Sequence, residues 1–442
     1  MIVRRTVGWL DERFGTNALL HVALKKIYPD HWSFYLGEFA LYFFLVLVGT
    51  GVWLTFAFDA GAQNAYGSVL ALAARNHPIG YEIRQIHHWA AVCFVAAILV
   101  HMSRIFFTGA FRRPRELNWM VGVTMLLLAS FTGFTGYSLP NDGLSGTGLR
   151  IAYSVALSIP LIGRWAAGVF AGGDDFPGPQ LTTHLYTLHV YFLPVTIGAL
   201  IALHLGLLVY QKHTQFVRDP NRVVGRRFWP DYALRTVAAL GATLAVLALL
   251  ATFFEINPVG DYGPYRPWIV MNGAVPDWYA AFLEGALRLG PATEIRIAGH
   301  PIPPVFWPGL VLPSVTFLFL LLWPFIEARL TGDRAPHDVL EKPTQVPLRV
   351  GVGAALIFEG LLLTIAAGDD QTAATLHVRL DTLVWLYRSA LLLGPIVVGL
   401  LAARIAMDVR ARAAEGAEPL PDAVMLVRNA HGGYEEEEPQ AG

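Results

Sequence analysis

Hydrophobic and polar positions along this chain fall in long blocks, not in short amphipathic periods. Runs without a formal charge extend from Phe39 to Phe58, Gln85 to Ser103, Leu117 to Asn141, through a stretch ending at Gln211, and from Thr236 to Phe254. A sixth run covers Ala298 to Ile326 and has prolines near its start. Two more are each broken by one charge: Val350 to Gly368 by Glu359, and Thr382 to Ala403 by Arg388. A helix that crosses hydrocarbon needs about 20 mostly apolar residues, so the pattern predicts an all-α integral membrane protein with eight transmembrane helices. Residues 1–31 form an N-terminal arm, 32–230 carry the first four helices as a bundle, and 231–407 carry the last four. Residues 408–442 are polar, include the run Glu435 to Glu438, and are expected to be a disordered tail. Two links are too long for turns. Pro140 to Thr183 contains an apolar stretch, Ile151 to Gly163, too short to span, which reads as helices lying at the membrane interface. Glu255 to Pro304 is rich in Pro, Trp and Tyr, and long ordered loops are often functional.

Composition agrees with that reading. Hydrophobic residues make up 55% and charged residues 15%, where a soluble domain carries about 25% charge. An ordinary soluble globule and a disordered chain are both excluded. The net charge of -1 offers no field for nucleic acid. One cysteine, Cys93, excludes an internal disulfide and any thiolate cluster. With eight spans both termini share a side. The segments on that side hold 21 Lys and Arg against 7 in the links on the other. The positive-inside rule therefore places both termini, with Arg4, Arg5, Lys25 and Lys26, in the cytoplasm. Residues 1–30 lack the apolar core of a cleavable signal, so the first span is expected to direct insertion into the cell membrane.

Within the spans, histidines stand out. The second carries His87, His88 and His101, and the fourth carries His184, His189 and His204. Ionisable residues at membrane depth mark function by default. His87 and His101 are 14 apart and His189 and His204 are 15 apart, so each pair lies within about 60° on one helix face and spans about 21 Å. If the two helices face each other, a bis-imidazole site forms near each membrane surface. Zinc would want four ligands; a six-coordinate haem needs two axial imidazoles. Glycines repeat the same spacing: Gly37 and Gly51 on the first span, Gly122 and Gly136 on the third. They admit close approach of a ring or backbone. Arg84 and Arg104 each stand three residues from a ligand histidine, where a haem propionate would need a cation.

Several segments together resemble cytochrome b, the quinol-oxidising subunit of cytochrome bc complexes, in its actinobacterial menaquinol–cytochrome c reductase type. They are PDHWSF (Pro29 to Phe34), RQIHHWAA (Arg84 to Ala91), FFTGAFRRPRE (Phe106 to Glu116) and the stretch from Gly133 to Ser154. YTLH (Tyr186 to His189), YQKHTQF (Tyr210 to Phe216), INPVGDYGPY (Ile256 to Tyr265), PDWY (Pro276 to Tyr279) and WPFIEARLTGD (Trp323 to Asp333) complete the set. The resemblance implies two non-covalent b-type haems, the outer on His87 and His189, the inner on His101 and His204. It implies that Pro276, Asp277, Trp278 and Tyr279 border an outer quinol-oxidation pocket, with Asp277 accepting a proton and Tyr137 and Pro140 to Gly143 on the opposite wall. Arg115, Lys212 and Arg235 are counted with Arg84 and Arg104 as cofactor- or quinone-binding cations. One electron would pass to a Rieske iron–sulfur subunit and the second across the two haems to a quinone on the cytoplasmic side, with proton translocation. The Rieske protein and cytochrome c would be separate subunits. A homodimer of the complex and association with a terminal oxidase are further implied partnerships.

The sequence departs from the family in places. Where the photosynthetic branch has a cysteine for a covalent haem this chain has Tyr35, so no such haem is expected. At the inner quinone site, Val209 and Arg235-Thr236 replace the His and Lys-Asp of mitochondrial relatives; Lys212, His213, Asp231 and Arg235 are nearby substitutes. Cys93 reads as a packing residue, and Glu359 as a hydrogen-bonded interior acid or as a member of a proton path. Two rival functions are a di-haem membrane anchor passing electrons from a dehydrogenase to quinone without bifurcation, and a haem-free transporter.

Overall fold

The computed structural model describes residues 26–415 apart from 30, 75, 174, 217–224, 270, 272–274 and 298, together with 9, 11–13, 24, 425–428 and 434–437. Arg4, Arg5 and Lys25 of the basic arm lie outside the described residues. Among those described, eight helices are long and apolar enough to cross a membrane. The chain is thus an all-α integral membrane protein, with further helices in its long links.

The first span is α1 (Tyr35–Thr55), followed by a short helix α2 (Ala65–Ala73) in a link expected to be loop. The second, α3 (Pro78–Thr108), is 31 residues long. Proline at its first position needs no hydrogen-bond partner there, and Gly109 ends it in the left-handed conformation at φ 66°. The extra length beyond Gln85 to Ser103 carries Arg84 and Arg104 within the helix. The third span is α4 (Glu116–Ser138). Asp142 then opens α5 (Gly143–Leu157) with a reciprocal capping box to Ser145, and α6 (Gly163–Ala171) follows.

The fourth span, α7 (Leu181–Gln211), is regular except for one π-helical turn, Leu188–Phe192, which contains His189. Pro194 lacks the N–H that would bond Val190, and a π turn absorbs one extra residue. This accounts for a spacing of 15 here where α3 has 14. His184 is not free: its Nδ1 lies 3.1 Å from the Val169 carbonyl on α6.

The second half begins with α8 (Phe228–Phe253) and α9 (Trp278–Leu289). The sixth span, α10, starts at Trp307 and runs to Thr331. The expected start at Ala298 is too early, because Ile295–Ile297 and His300–Ile302 pair as a hairpin and Pro303 and Pro304 follow it. Next come α11 (Pro347–Ala366), α12 (Asp369–Leu376) and α13 (Leu380–Glu415). The last helix runs eight residues into the stretch from Asp408 expected to be disordered. Beyond it, Met425–Arg428 pairs with Tyr434–Glu437 as antiparallel strands.

Helix α1 packs on α3, and α4 packs on α7, which closes the first bundle around Val92, Phe94, Val95, Leu126, Ala129 and Ile197. Cys93 packs against this core, as expected. In the second half α11 packs between α9 and α13, while α8 packs on α3 and α10 on α4. Tyr279 on α9 inserts into the core of the first bundle. At the end of the molecule carrying the start of α4 and the end of α7, residues 333–346 form a strap. Arg115 donates from Nη1 to the His337 carbonyl at 2.7 Å and from Nη2 to Asp338 at 2.8 Å and the Gln211 carbonyl at 3.0 Å. Buried Arg349 pairs with Glu327 and with Glu341. Arg115 therefore ties the strap to α7. Among the described residues Glu359 has no hydrogen-bond partner, so the expected interior hydrogen bond is not formed within them.

Candidate functional site

The two histidine-bearing helices face each other across the first bundle. His87 on α3 and His189 on α7 have ring centres 6.2 Å apart, with planes crossed at 73°. A metal–imidazole bond of about 2.0 Å, with about 1.2 Å from nitrogen to ring centre, would put two imidazoles on opposite sides of one ion about 6.4 Å apart. The observed distance leaves room for one metal ion on the line between the rings. The Nδ1 atoms are occupied elsewhere. That of His87 lies 2.8 Å from Thr50 Oγ1, and that of His189 lies 3.0 Å from the Thr132 carbonyl. An Nδ1–H bonded to a carbonyl fixes the tautomer and leaves Nε2 as the free ligand atom.

All four glycines meet the four histidines one to one. A Cβ at Gly51 would stand 3.2 Å from the His87 ring, at Gly37 3.0 Å from His101, at Gly136 2.4 Å from His189, and at Gly122 3.9 Å from His204. The glycines seat the edges of the imidazoles. Shape here gives a graded expectation. Gly136→Ala would displace the His189 ring, and b-type haem per chain should fall. Gly122→Ala sits at ordinary contact distance and should leave haem content unchanged. Haem quantified against protein in the two variants checks the pair.

Among the described residues His101 Nδ1, Arg84 Nη1 and Arg104 Nη2 are buried without a hydrogen-bond partner, although Arg84 Nη2 donates to the Asn257 carbonyl at 2.8 Å. Unpaired buried guanidinium nitrogens are costly and suit an anion such as a propionate. The paired imidazoles, glycine seats and orphaned cations all fit haem.

A cavity of about 270 Å³ opens beside the His87–His189 pair. Its lining includes Arg84, His88, Tyr137, Asp142, Asn257, Asp277 and Tyr279. Asp277 is the residue on which the others converge. Its Oδ2 lies 2.9 Å from His88 Nε2 and accepts from Tyr279 OH at 3.2 Å, while Oδ1 accepts from Asn257 Nδ2 at 3.2 Å. Asp277 precedes α9, but its side chain makes no cap hydrogen bond. It faces the cavity instead. Tyr279 stands directly over Gly133, where a Cβ would come within 2.6 Å of its ring. Burial, and then the charge of Asp277, push the Tyr279 hydroxyl well above its ordinary pKa, so it stays a donor. On the other wall, burial pushes the Asp142 carboxyl up, against the hydrogen bonds of Ser145 and the charge of Arg84.

Asp277, Tyr279 and Tyr137 thus share one cavity with the outer histidines. Trp278 is largely exposed, and Pro276 does not line the cavity. Arg115 is engaged in the strap, while Lys212 and Arg235 are exposed. From the sequence, Asp142 was expected only as part of the Pro140 to Gly143 wall and His88 only as one of the span histidines; Asn257 was not singled out. His88 had a signal, since it neighbours His87 and must point about 100° away from it.

Comparison with known proteins decides the family. The chain is 43% identical over 418 residues to the cytochrome bc1 complex cytochrome b subunit of Mycobacterium leprae, covering 90% of this chain and 75% of that protein. It belongs to the cytochrome b family of bc1 complexes. The same subunit of Streptomyces coelicolor is 39% identical over 92% of this chain and 78% of its own length. The family model for cytochrome b(N-terminal)/b6/petB matches residues 92–264. A hyperthermophilic respiratory Complex III chain shares the fold, with a TM-score of 0.68 at 21% identity over 90% of this chain and 98% of that one. Membership in cytochrome b implies b-type haem, a place in a bc1-type complex with Rieske and cytochrome c partners, and a share in quinol–cytochrome c oxidoreduction.

Proposed function

We propose that this cytochrome b oxidises a quinol, with menaquinol as the substrate, in the cavity beside His87 and His189. The single observation that carries this reading is the convergence of His88, Asn257 and Tyr279 on Asp277 inside that cavity. Quinol oxidation releases two electrons and two protons. Asp277 is placed to accept one proton, and the Tyr279 hydroxyl to hold the carboxylate and close the pocket. Tyr137 lines the same space. His87 with His189, and His101 with His204, would each hold one b haem; the haems, when bound, supply a one-electron path between the membrane faces. Arg84 and Arg104 would neutralise propionates. The distribution of Lys and Arg supports an orientation with this cavity on the outer side of the cytoplasmic membrane and both termini in the cytoplasm.

In this reading one electron leaves to the Rieske subunit and the other crosses to a quinone-reduction site, with net proton translocation in a dimeric complex that a terminal oxidase can join. A haem anchor without bifurcation would leave the Asp277 cluster without a task. Rapid mixing of the reduced complex with oxidised cytochrome c, its inner quinone site blocked, tests the proposal. Bifurcation predicts a transient increase in reduced b haem on adding the oxidant. A purely oxidative response would contradict it.

A further inference from the structure

The link that follows α8 and enters the outer cavity is fastened to α3 by three side chains of one short stretch. Trp89 Nε1 donates to the Phe254 carbonyl at 2.8 Å. Gln85 Oε1 accepts from the Ile256 N–H at 3.0 Å, and Gln85 Nε2 donates to the Ile256 carbonyl at 3.4 Å. Arg84 Nη2 donates to the Asn257 carbonyl at 2.8 Å.

Gln85 is fully buried. A buried amide is costly unless both of its ends are paired, and here both ends meet the main chain of one residue, as a strand partner would. The next residue is held in an unusual shape. Asn257 has φ 47°, in the left-handed region that asparagine tolerates better than most side chains. Its side chain lines the cavity, and Nδ2 donates to Asp277 Oδ1 at 3.2 Å. His88 and Tyr279 meet the other carboxylate oxygen.

A tie that only closed the end of α8 would need nothing beyond Phe254. The bonds of Gln85 and Arg84 fall instead on Ile256 and Asn257, the two residues that carry the Asn257 amide to Asp277. Gln85 itself does not line the cavity. Whatever it contributes there passes through Asn257.

We propose that Gln85 is a positioning residue for quinol oxidation: by holding the Ile256 main chain it sets the Asn257 amide against Asp277 Oδ1, and so fixes the carboxylate that receives the quinol proton. This rests on the reading that Asp277 is that acceptor. A hydrogen bond donated to a carboxylate favours its ionised form, the form that can take a proton. Without the amide the carboxyl stays protonated up to a higher pH, and the acidic limb of the rate–pH profile moves up with it. The titratable and charged groups facing Asp277 are His88 and Arg84 on α3, Tyr137 on α4, Tyr279 on α9 and Tyr262 in the link.

The test uses the assembled complex carrying Gln85→Met, Asn257→Gly, or both, with the b-haem bands checked first. Methionine keeps the volume and removes both hydrogen bonds; glycine keeps the left-handed backbone and removes the amide. Each single variant should lower kcat for quinol oxidation about tenfold, move the acidic limb to higher pH and leave KM within about twofold. The double variant should also lose about tenfold, not the roughly 100-fold of independent effects. The unaltered rate and pH profile in either assembled single variant would overturn the proposal, and so would losses that multiply in the double variant. A raised KM with the acidic limb in place would mark a purely structural tie and overturn it too. Asn257→Gly decides the matter if Gln85→Met does not assemble. Asp277→Asn separates the two levels: if it leaves the rate unchanged at every pH, the underlying reading fails, whereas a slow Asp277→Asn beside an unaltered Gln85→Met removes this proposal alone.

Discussion

A His101→Ala variant of the complex is expected to hold one b haem per chain in place of two, with the outer haem's spectrum retained. Loss of one axial imidazole removes half of the protein's grip on the inner iron. Gly37, where a Cβ would stand 3.0 Å from that ring, offers no side chain in its place. The outer pair is about 21 Å away along α3, held by Thr50 and Thr132, so it should be undisturbed. Haem extracted as its pyridine complex and counted against protein checks this. Two haems per chain in the variant would show that His101 is not a ligand.

Asp277→Asn should slow quinol oxidation by about 10²-fold, the lower range for loss of a positioned proton acceptor, while both b bands remain. Asparagine has nearly the same shape and can still meet Tyr279 and Asn257, so packing of the loop should survive. What disappears is the anionic oxygen that lies 2.9 Å from His88 and faces the cavity. Steady-state oxidation of quinol by the complex, measured across pH, is the readout. A rate that matches the unaltered complex at every pH would remove Asp277 from the proton path.

Much of this site was legible because membrane helices carry so few ionisable residues. His87 with His101 and His189 with His204 announced two shared faces by spacing alone, and the glycines repeated that spacing on the two partner helices. The structure then matched each glycine to one histidine. The π turn at Leu188–Phe192 was not legible in that way, since periodicity assumes a regular helix. Nor was the Asp277 cluster: His88 and Asp277 are 189 residues apart, and a spacing rule reports only which residues share one helix. Asn257 gave no local signal for the same reason. At the other end of the first bundle, charge drew attention to Lys212 and Arg235, which are exposed. The strap and the hairpin Ile295–Ile302 also depend on pairings that hydropathy does not encode.

The central claim is that two facing helices hold two haems through four imidazoles. Low-temperature electron paramagnetic resonance of the oxidised protein, with haem counted per chain, tests it most directly. Two low-spin, bis-imidazole b haems per chain are expected. A ratio of one or less, or a high-spin signal with an open axial position, would contradict it.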